Sequence, residues 1–387
     1  MPVYLDHAAT TPILPEALAA FTDALRTVGN PSSIHSAGQH ARMLLEDGRA
    51  RVAASLGADP VEVVFTSGGT ESINLAVKGL FWARQRDRRR PRIVVPAGEH
   101  HATVDTVDWL ERHEGAVVDV VPLDAQGRVD LAALEARLAA ADDVALVTFL
   151  WANNEVGTIQ PVERIVALAH DAGVPVHSDA VAAYGQVPVD FAASGLDALS
   201  VSAHKIGGPV GVGALVLGRR AVVEPLIHGG GQQRQVRSGT QDAPAAAAFG
   251  VAAASPHADV RHLRDRIVAG VRRAVPTAVL MGDPDDRLPG NAHFTFPGCE
   301  GDSLLFLLDA AGVAVSTGSA CQAGVPEASH VLLAMGLSED DARGALRITL
   351  GHTSTDDDVD AFLAALPAAV ARAGAAGMAS REPSLGR

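Results

Sequence analysis

The chain has 387 residues, of which 48% are hydrophobic and 20% are charged, and its formal net charge is -14. This acidic balance argues against direct nucleic-acid binding, because a nucleic-acid binder needs an excess of Lys and Arg on at least one face. The sequence has no apolar run of roughly 18 residues, and its start, MPVYLDHAATTP, lacks the basic and apolar regions of a signal peptide. With two cysteines there is no disulfide framework, so we expect a cytoplasmic protein with no membrane partner.

The middle of the chain alternates short β-branched runs with helical periods rich in Ala and Leu. The predicted strands cover residues 61–65, 92–96, 116–122, 144–149, 174–179, 198–203 and 213–218. Helical periods at 131–141 and 163–173 lie between them, and the second ends on a glycine suited to a helix C-terminus. The pattern predicts an α/β fold with a mostly parallel seven-stranded sheet covered by helices.

The length exceeds the roughly 250 to 300 residues at which a single core stops growing, so we expect two domains. From about residue 255 the pattern changes to a charged helical stretch, a polar turn and the strand NAHFTF, followed by an α+β tail. We therefore predict a large domain at 13–254 and a small domain built from 1–12 and 255–387.

A basic run, RQRDRRRPR, covers residues 84–92. It suits either a docking patch for an acidic partner or a solvated loop that closes a helix C-terminus, where cations meet the helix dipole favourably. The second interpretation is the commoner one for such a run.

Three motifs at strand ends carry the first chemical signal. FTSGGTES opens a predicted helix, and the amides after Gly68 and Gly69 can bind a phosphate, although glycines are common at such turns. Asp179 ends a strand, where open α/β sheets place ligands, but it can also merely cap a helix. In VSAHKIGGP, Lys205 lies in a glycine-rich turn after a later strand, beside Ser202.

Together, a phosphate loop, an acid and a lysine at strand ends are the parts of a pyridoxal 5'-phosphate site. The lysine would bind the cofactor covalently, the acid would keep the ring nitrogen protonated, and the loop would hold the phosphate. The combination is far more specific than any one of its members.

Motifs along nearly the whole chain make it resemble the NifS/IscS-type cysteine desulfurases, which are fold-type I pyridoxal-phosphate transferases. The matching stretches are YLDHAATTP, GNPSSIHSAG, FTSGGTES, EHHA, WANNEVGTIQ, SDA, SAHKIGGPVGVGAL, HGGGQ, RSGT, STGSACQAG, SHVL and LRITLGHTS. The resemblance implies a large domain with the sheet, a smaller α+β domain that carries a catalytic cysteine, and the conversion of L-cysteine to L-alanine.

The resemblance also implies roles for individual residues. Lys205 matches the cofactor-binding lysine, and His100 matches a histidine that stacks on the cofactor ring and moves protons near the thiol. The further cofactor contacts would be Gly69, Thr70, Asn154, Asp179, Ser202, His204 and Thr240. Thr240 matches a residue that reaches the phosphate of the neighbouring subunit, which implies a homodimer with shared active sites.

Substrate binding follows from the same resemblance. Arg347 matches the arginine that receives the carboxylate of L-cysteine, a task suited to its planar fork, and Asn30 would lie in the same pocket. A structural ion pair is the alternative role for Arg347.

Cys321, in STGSACQAG, matches the nucleophile. It would take the substrate sulfur as a persulfide and pass it to an acceptor protein such as an iron–sulfur scaffold, or to thiolation of tRNA or cofactors. The same thiol is a candidate for a transient iron–sulfur ligand shared with a partner. We interpret Cys299 as structural.

One position departs from the family pattern. Relatives have a Gln three residues after the aspartate, where it donates to the phenolic oxygen of the cofactor, and this chain has Ala182. Losing such a bond costs about 1.5 to 3 kcal/mol unless another group replaces it.

Two other functions remain open at this stage. Another enzyme of the same fold, a selenocysteine lyase or an aminotransferase, would share the cofactor site. A non-catalytic sulfur or iron–sulfur scaffold would use Cys321 without needing Lys205 and Asp179.

Overall fold

The computed structural model of the chain describes residues 3–318 and 328–379. The strands are β1 (Val3–Tyr4), β2 (Val63–Thr66), β3 (Arg92–Pro96), β4 (Val117–Val121), β5 (Val144–Leu150), β6 (Val176–Asp179), β7 (Ala198–Ser202), β8 (Gly213–Leu217), β9 (Val279–Met281), β10 (Asn291–Thr295), β11 (Val313–Ala314) and β12 (Ala345–Thr349). The helices are α1 (Pro15–Ala24), α2 (Ser36–Ser55), α3 (Gly69–Arg84), α4 (His101–Glu114), α5 (Leu131–Leu138), α6 (Val162–Asp171), α7 (Phe191–Ser194), α8 (Ala243–Ala254), α9 (Arg261–Ala274), α10 (Gly301–Ala310), α11 (His330–Ala334), α12 (Glu339–Arg343) and α13 (Asp356–Ala379). None of the described helices is both long and apolar enough to cross a membrane.

Within the described residues a seven-stranded sheet has the strand order β2-β8-β7-β6-β5-β3-β4. The neighbours from β7 to β4 pair in parallel, whereas β8 is antiparallel to both β2 and β7. Every residue of β5 and β7 is buried, as expected for strands with helices on both faces. These observations confirm the predicted mostly parallel seven-stranded sheet.

Two predicted strands begin two residues later than the sequence pattern indicates. The strand predicted from residue 61 begins at Val63, because residues 60–62 form a short 3₁₀ helix capped by Asp59. The strand predicted from residue 174 begins at Val176, because Val174 donates its amide to Ala169 at the end of α6. In both places the backbone amide donates within a local turn, so it is not available for pairing in the sheet.

The chain after residue 255 builds smaller sheets. β9, β10 and β12 form an antiparallel sheet, and β1 pairs in parallel with β11. Leu5 is buried in an apolar cluster with residues of α9, α10, α13 and the sheet of β9, β10 and β12, which we call the small sheet. That packing supports the assignment of the N-terminal residues to the small domain, while the boundaries 13–254 and 255–387 stay a prediction.

The basic run at 84–92 follows the end of α3. Four of its six arginines pair with carboxylates of the same chain: Arg86 with Glu224, Arg88 with Asp142, Arg90 with Asp87, and Arg92 with Asp119 and Asp143. Because most of these charges are already paired, the run fits the solvated loop better than a docking patch for an acidic partner.

Candidate active site

A cavity of about 380 Å³ lies where β5, β6 and β7 end. Leu150, Asp179 and Ser202 are the last residues of these strands, and all three line the cavity. Parallel strands bring their carboxyl ends to one edge of the sheet, so distant motifs meet there. Of the residues selected from the sequence, the cavity is lined by Gly69, Thr70, His100, Asn154, Asp179, Ser202, His204, Lys205 and Arg347.

The turn before α3 forms one end of the cavity. Gly68 has a φ of 152°, a conformation that favours glycine. A Cβ atom on Gly69 would lie 2.7 Å from a methyl group of Val181, so a larger residue would require Val181 to move. The first amides of α3 lack intrahelical acceptors, and the buried hydroxyl of Ser202 has no hydrogen-bond partner among the described residues. This set of donors suits an anion such as a phosphate.

Asp179 is 3% exposed. Its Oδ1 accepts a bond from the Val181 amide at 2.9 Å, so the carboxylate caps its own turn as well as facing the cavity. Burial raises the pKa of Asp179 to about 6, and the charge of Lys205 opposes this shift. A second nearby cation would favour the ionised carboxylate further.

Lys205 ends the short 3₁₀ turn that follows β7. Its Nζ donates to the carbonyl oxygens of Ala8 and Ala9, the latter at 2.9 Å. Burial, with a smaller contribution from the neighbouring charge of Arg347, lowers the pKa of Lys205 to about 8. A substantial fraction of the amine is therefore neutral near pH 8, as a nucleophile or base requires.

His100 caps the N-terminus of α4. Its Nδ1 accepts the amide of Ala102 at 3.0 Å, so the neutral ring carries its hydrogen on Nε2. Burial lowers the pKa of His100 to about 4, and the charge of Lys205 contributes. The ring is therefore a neutral N–H donor near pH 7, and Nδ1 can take a proton only if the helix cap breaks.

Arg347 reaches the cavity from β12 in the small sheet and is 5% exposed. Its Nη1 donates to the Asn154 carbonyl at 2.9 Å, and its Nη2 donates to Asp6 Oδ1 at 3.1 Å. The ion pair that was the alternative role for Arg347 therefore exists. Nε of Arg347 and Oδ1 of Asn154 are nevertheless buried without a described partner, which suits a polar ligand bound beside them.

Two predicted site residues do not line this cavity. Asn30 and Thr240 are both exposed, and Asn30 Oδ1 accepts the amide of Ser32 at 2.9 Å. Asn30 lies in a local turn before α2 and does not meet Arg347 in this chain, so its substrate-binding role stays a prediction. Cys321 lies outside the described residues.

Sequence reasoning missed several residues of the cavity wall. His7 is buried, its Nδ1 lies 2.6 Å from Thr11 Oγ1, and burial lowers its pKa to about 4. Thr349 accepts the amide of Ala8, the residue whose carbonyl holds Lys205. His7 belongs to the motif YLDHAATTP, so the sequence motif could have identified it as a cavity residue. The contact of Thr349 with Ala8 joins opposite ends of the chain, and no local sequence pattern indicates it.

Cys299 is 5% exposed, and its thiol donates to the Val370 carbonyl at 3.7 Å. Burial raises the pKa of Cys299, which disfavours the reactive thiolate. These facts agree with a structural role. Within residues 3–318 and 328–379, no cluster of His, Cys, Asp or Glu is suited to holding a metal ion.

Comparison with known proteins gives one consistent answer. The family model described as Aminotransferase class-V matches residues 3–362. The chain is 54% identical to an IscS-like cysteine desulfurase of Mycobacterium tuberculosis, over 97% of this chain and 98% of the relative.

Solved structures agree with this result. A NifS-like protein superposes with a TM-score of 0.88 at 34% identity, covering 96% of this chain and all of the other (100%). The structure titled SspA in complex with cysteine superposes with a TM-score of 0.80 at 32% identity, covering 90% of this chain and 98% of the other. The chain belongs to the class-V aminotransferase family and, within it, to the NifS/IscS-type cysteine desulfurases.

Proposed function

We propose that this protein converts L-cysteine to L-alanine and keeps the sulfur as a persulfide on Cys321. The single observation that carries the proposal is the cavity in which Lys205, Asp179 and Arg347 meet. The cavity combines a lysine with a depressed pKa, a buried carboxylate and a guanidinium. These groups suit a reaction in which a proton is removed from the Cα of a bound amino acid.

The family depends on pyridoxal 5'-phosphate, and the residues of the cavity fit this cofactor. The turn at Gly69 with the unpartnered hydroxyl of Ser202 suits the phosphate, Asp179 suits the ring nitrogen, and Lys205 suits the aldehyde. When bound, the cofactor supplies an electron sink for the carbanion at the substrate Cα.

Arg347 is our candidate for holding the substrate carboxylate. Its unpartnered Nε and the Asn154 amide beside it offer polar groups to a small amino acid. The carboxylate would compete with Asp6 for the guanidinium, so substrate entry would exchange one ion pair for another.

Lys205 would then take the proton from the substrate Cα. Its pKa of about 8 leaves enough neutral amine for this step near neutral pH. The carbonyls of Ala8 and Ala9 hold Nζ at the cavity wall, which limits where the proton can be removed.

Cys321 would attack the substrate sulfur as a thiolate. An S–S bond forms, the substrate Cβ–S bond breaks, and its electron pair stays with the carbon skeleton. Cβ is reduced and takes up a proton, while the two sulfur atoms are oxidised to the persulfide, so the thiol proton and the sulfur are both accounted for. His100, neutral with its hydrogen on Nε2, would act first as a proton donor near these atoms.

The acceptor and the assembly belong to the same proposal. We expect a homodimer in which exposed Thr240, and with it Asn30, reaches the partner subunit, and a cytoplasmic location where thiols stay reduced. The persulfide would pass to a sulfur acceptor such as an iron–sulfur scaffold or a thiolation enzyme. A transient iron–sulfur ligand role for Cys321 stays a prediction.

The test is to supply L-cysteine to the holoenzyme with a reductant and to measure alanine and sulfide. We expect Cys321→Ala to lose sulfide release while it keeps the visible absorbance of the bound cofactor. Cys299→Ala is the matched control, since it removes the other thiol, and we expect it to retain activity. Sulfide release by Cys321→Ala at the wild-type rate would show that Cys321 is not the nucleophile.

A further inference from the structure

The described chain on both sides of residues 319–327 bonds to residues of the cavity or to their sequence neighbours. On the N-terminal side, Ser316 exchanges backbone hydrogen bonds with Arg347, at 2.6 and 3.2 Å. On the C-terminal side, the Ser329 hydroxyl donates to Glu155 Oε2 at 2.5 Å. Arg347 lines the cavity, and Glu155 directly follows Asn154, which also lines it.

Ser329 has two hydrogen-bonding tasks. Its Oγ accepts the amide of Leu332, which caps α11, and it donates its hydrogen to Glu155. Ser329 is 2% exposed and Glu155 is 3% exposed, so solvent does not replace this bond readily. A hydroxyl-to-carboxylate bond in such a setting is among the stronger hydrogen bonds of proteins.

Glu155 is itself held in place. Its carbonyl oxygen accepts bonds from Asn291 Nδ2 at 2.9 Å and from His293 Nδ1 at 3.0 Å. The neighbouring carbonyl of Asn154 accepts the bond from Arg347. The carboxylate that receives Ser329 therefore belongs to the same fixed loop that positions Arg347.

A second contact lies beside the first. His330 Nε2 donates to the backbone carbonyl of Glu99 at 2.8 Å, and Glu99 precedes His100. Two consecutive residues, Ser329 and His330, thus bond to chain neighbours of Asn154 and His100. Neither contact serves the cofactor-binding residues directly, so the chemistry described above does not account for them.

We propose that Ser329 is a positioning residue for sulfur transfer, which fixes the chain after Cys321 to the loop of Asn154 and Glu155 by its bond to the Glu155 carboxylate. The inference rests on the proposed role of Cys321. Cys321 is eight positions before Ser329 and five after Ser316, so these two attachment points flank the segment that contains it. Losing one of them lowers the probability that the thiolate meets the substrate sulfur, and reactions that depend on orientation are sensitive to such displacements.

The experiment compares Ser329→Ala with Ser338→Ala in the full-length holoenzyme. Ser338 caps α12 in the same way, with its Oγ accepting the Asp341 amide at 3.2 Å and donating to Asp341 Oδ2 at 2.6 Å, but it is exposed and does not bond to Glu155. Both variants lose one helix cap, so a mere loss of stability affects both. We expect Ser329→Ala to lower kcat for sulfide release about tenfold with KM nearly unchanged, and Ser338→Ala to match the wild type.

Two further measurements separate positioning from damage. The visible spectrum of the cofactor and its change on adding L-cysteine should be the same in Ser329→Ala as in the wild type. Glu155→Gln keeps an acceptor oxygen without the charge, so we expect a loss of only about threefold, and the double variant should lose no more than Ser329→Ala alone.

The outcomes are distinguishable. Wild-type kcat in Ser329→Ala, or an equal loss in Ser338→Ala, would overturn the positioning role and leave the proposed function intact. Additive losses in the double variant would also overturn it, because Ser329 and Glu155 would then act separately. Full activity of Cys321→Ala would instead overturn the proposed function on which this inference rests.

Discussion

The cavity has two walls that are built in different ways. Asp179, Ser202 and Lys205 come from strand ends of the seven-stranded sheet, whereas Arg347 comes from β12 in the small sheet. On the first wall burial decides the charges, since it raises the pKa of Asp179 and lowers that of Lys205. On the second wall an ion pair stabilises the charge, because Arg347 donates to Asp6, which lies 341 positions away in the sequence.

The difference between the walls indicates which substitutions should affect catalysis and which should affect substrate binding. Where burial sets the pKa of a group, the charge of that group changes with pH. Replacing the group by a neutral residue then removes a charge that few neighbouring groups can replace. A group whose charge is paired responds to removal or exchange of the partner. We therefore expect variants of the first wall to affect catalysis most, and variants of the second wall to affect substrate binding most.

The largest effect is expected from Lys205→Ala on the first wall. Loss of the proton-transferring amine should lower kcat by about 10² to 10⁴-fold and prevent covalent attachment of the cofactor. Lys78 and Lys205 are the only two lysines of the sequence, so Lys78→Ala is a complete control. Reduction with borohydride followed by peptide mass spectrometry should label Lys205 and not Lys78. Label on Lys78 would refute the role assigned to Lys205.

Arg347→Lys tests the second wall. A lysine keeps the charge but loses the planar fork, so we expect KM for L-cysteine to rise at least about tenfold with a smaller change in kcat. Steady-state sulfide release measures both constants. A fall in kcat with unchanged KM would mean that Arg347 does not bind the carboxylate.

Asp6→Asn is the opposite change on the same wall. It removes the carboxylate that competes with the substrate for Arg347, so we expect KM to fall by about two- to threefold. If KM rises instead, Asp6 holds Arg347 in its productive orientation rather than competing with the substrate.

The first wall could be predicted from the sequence far better than the second. Asp179 and Lys205 follow buried strands, and parallel strands must bring their ends together, so local patterns are enough to place them. Arg347 lies in a strand too, but its partners Asp6 and Asn154 come from distant parts of the chain. The exposed position of Asn30 could not be predicted either, because a turn pattern does not say which surface the turn faces.

The pH dependence of stability should follow the buried histidines under the first wall. His177 is fully buried between Thr148 and Ser200, and burial lowers its pKa to about 3. The unfolded chain takes up this proton below about pH 6.5 and the folded chain does not, so stability falls as the pH falls through that window. We expect this histidine to account for about 1.4 kcal/mol of unfolding free energy per pH unit.

Urea unfolding at pH 7 and pH 5 checks this contribution. His177→Asn should lose part of the wild-type pH dependence even if it is less stable at pH 7. His113→Asn is a suitable control, because His113 is exposed at the end of α4. Equal pH slopes in the wild type and His177→Asn would show that His177 is not the group responsible.

The smallest effect is expected from Ala182→Gln, which introduces on the first wall the Gln that the family resemblance predicts there. Ala182 lines the cavity together with Gln186, whose amide makes two long bonds, to Gly290 at 3.2 Å and to the Ala182 carbonyl at 3.3 Å. An added amide at 182 would donate to the phenolic oxygen of the cofactor and weaken its hold on the neighbouring proton. We expect the pH midpoint of the cofactor absorbance to fall by less than about one unit and kcat to change by less than about tenfold. Ala182→Leu adds similar volume without a donor, so an equal shift in both variants would assign the effect to packing rather than to a hydrogen bond.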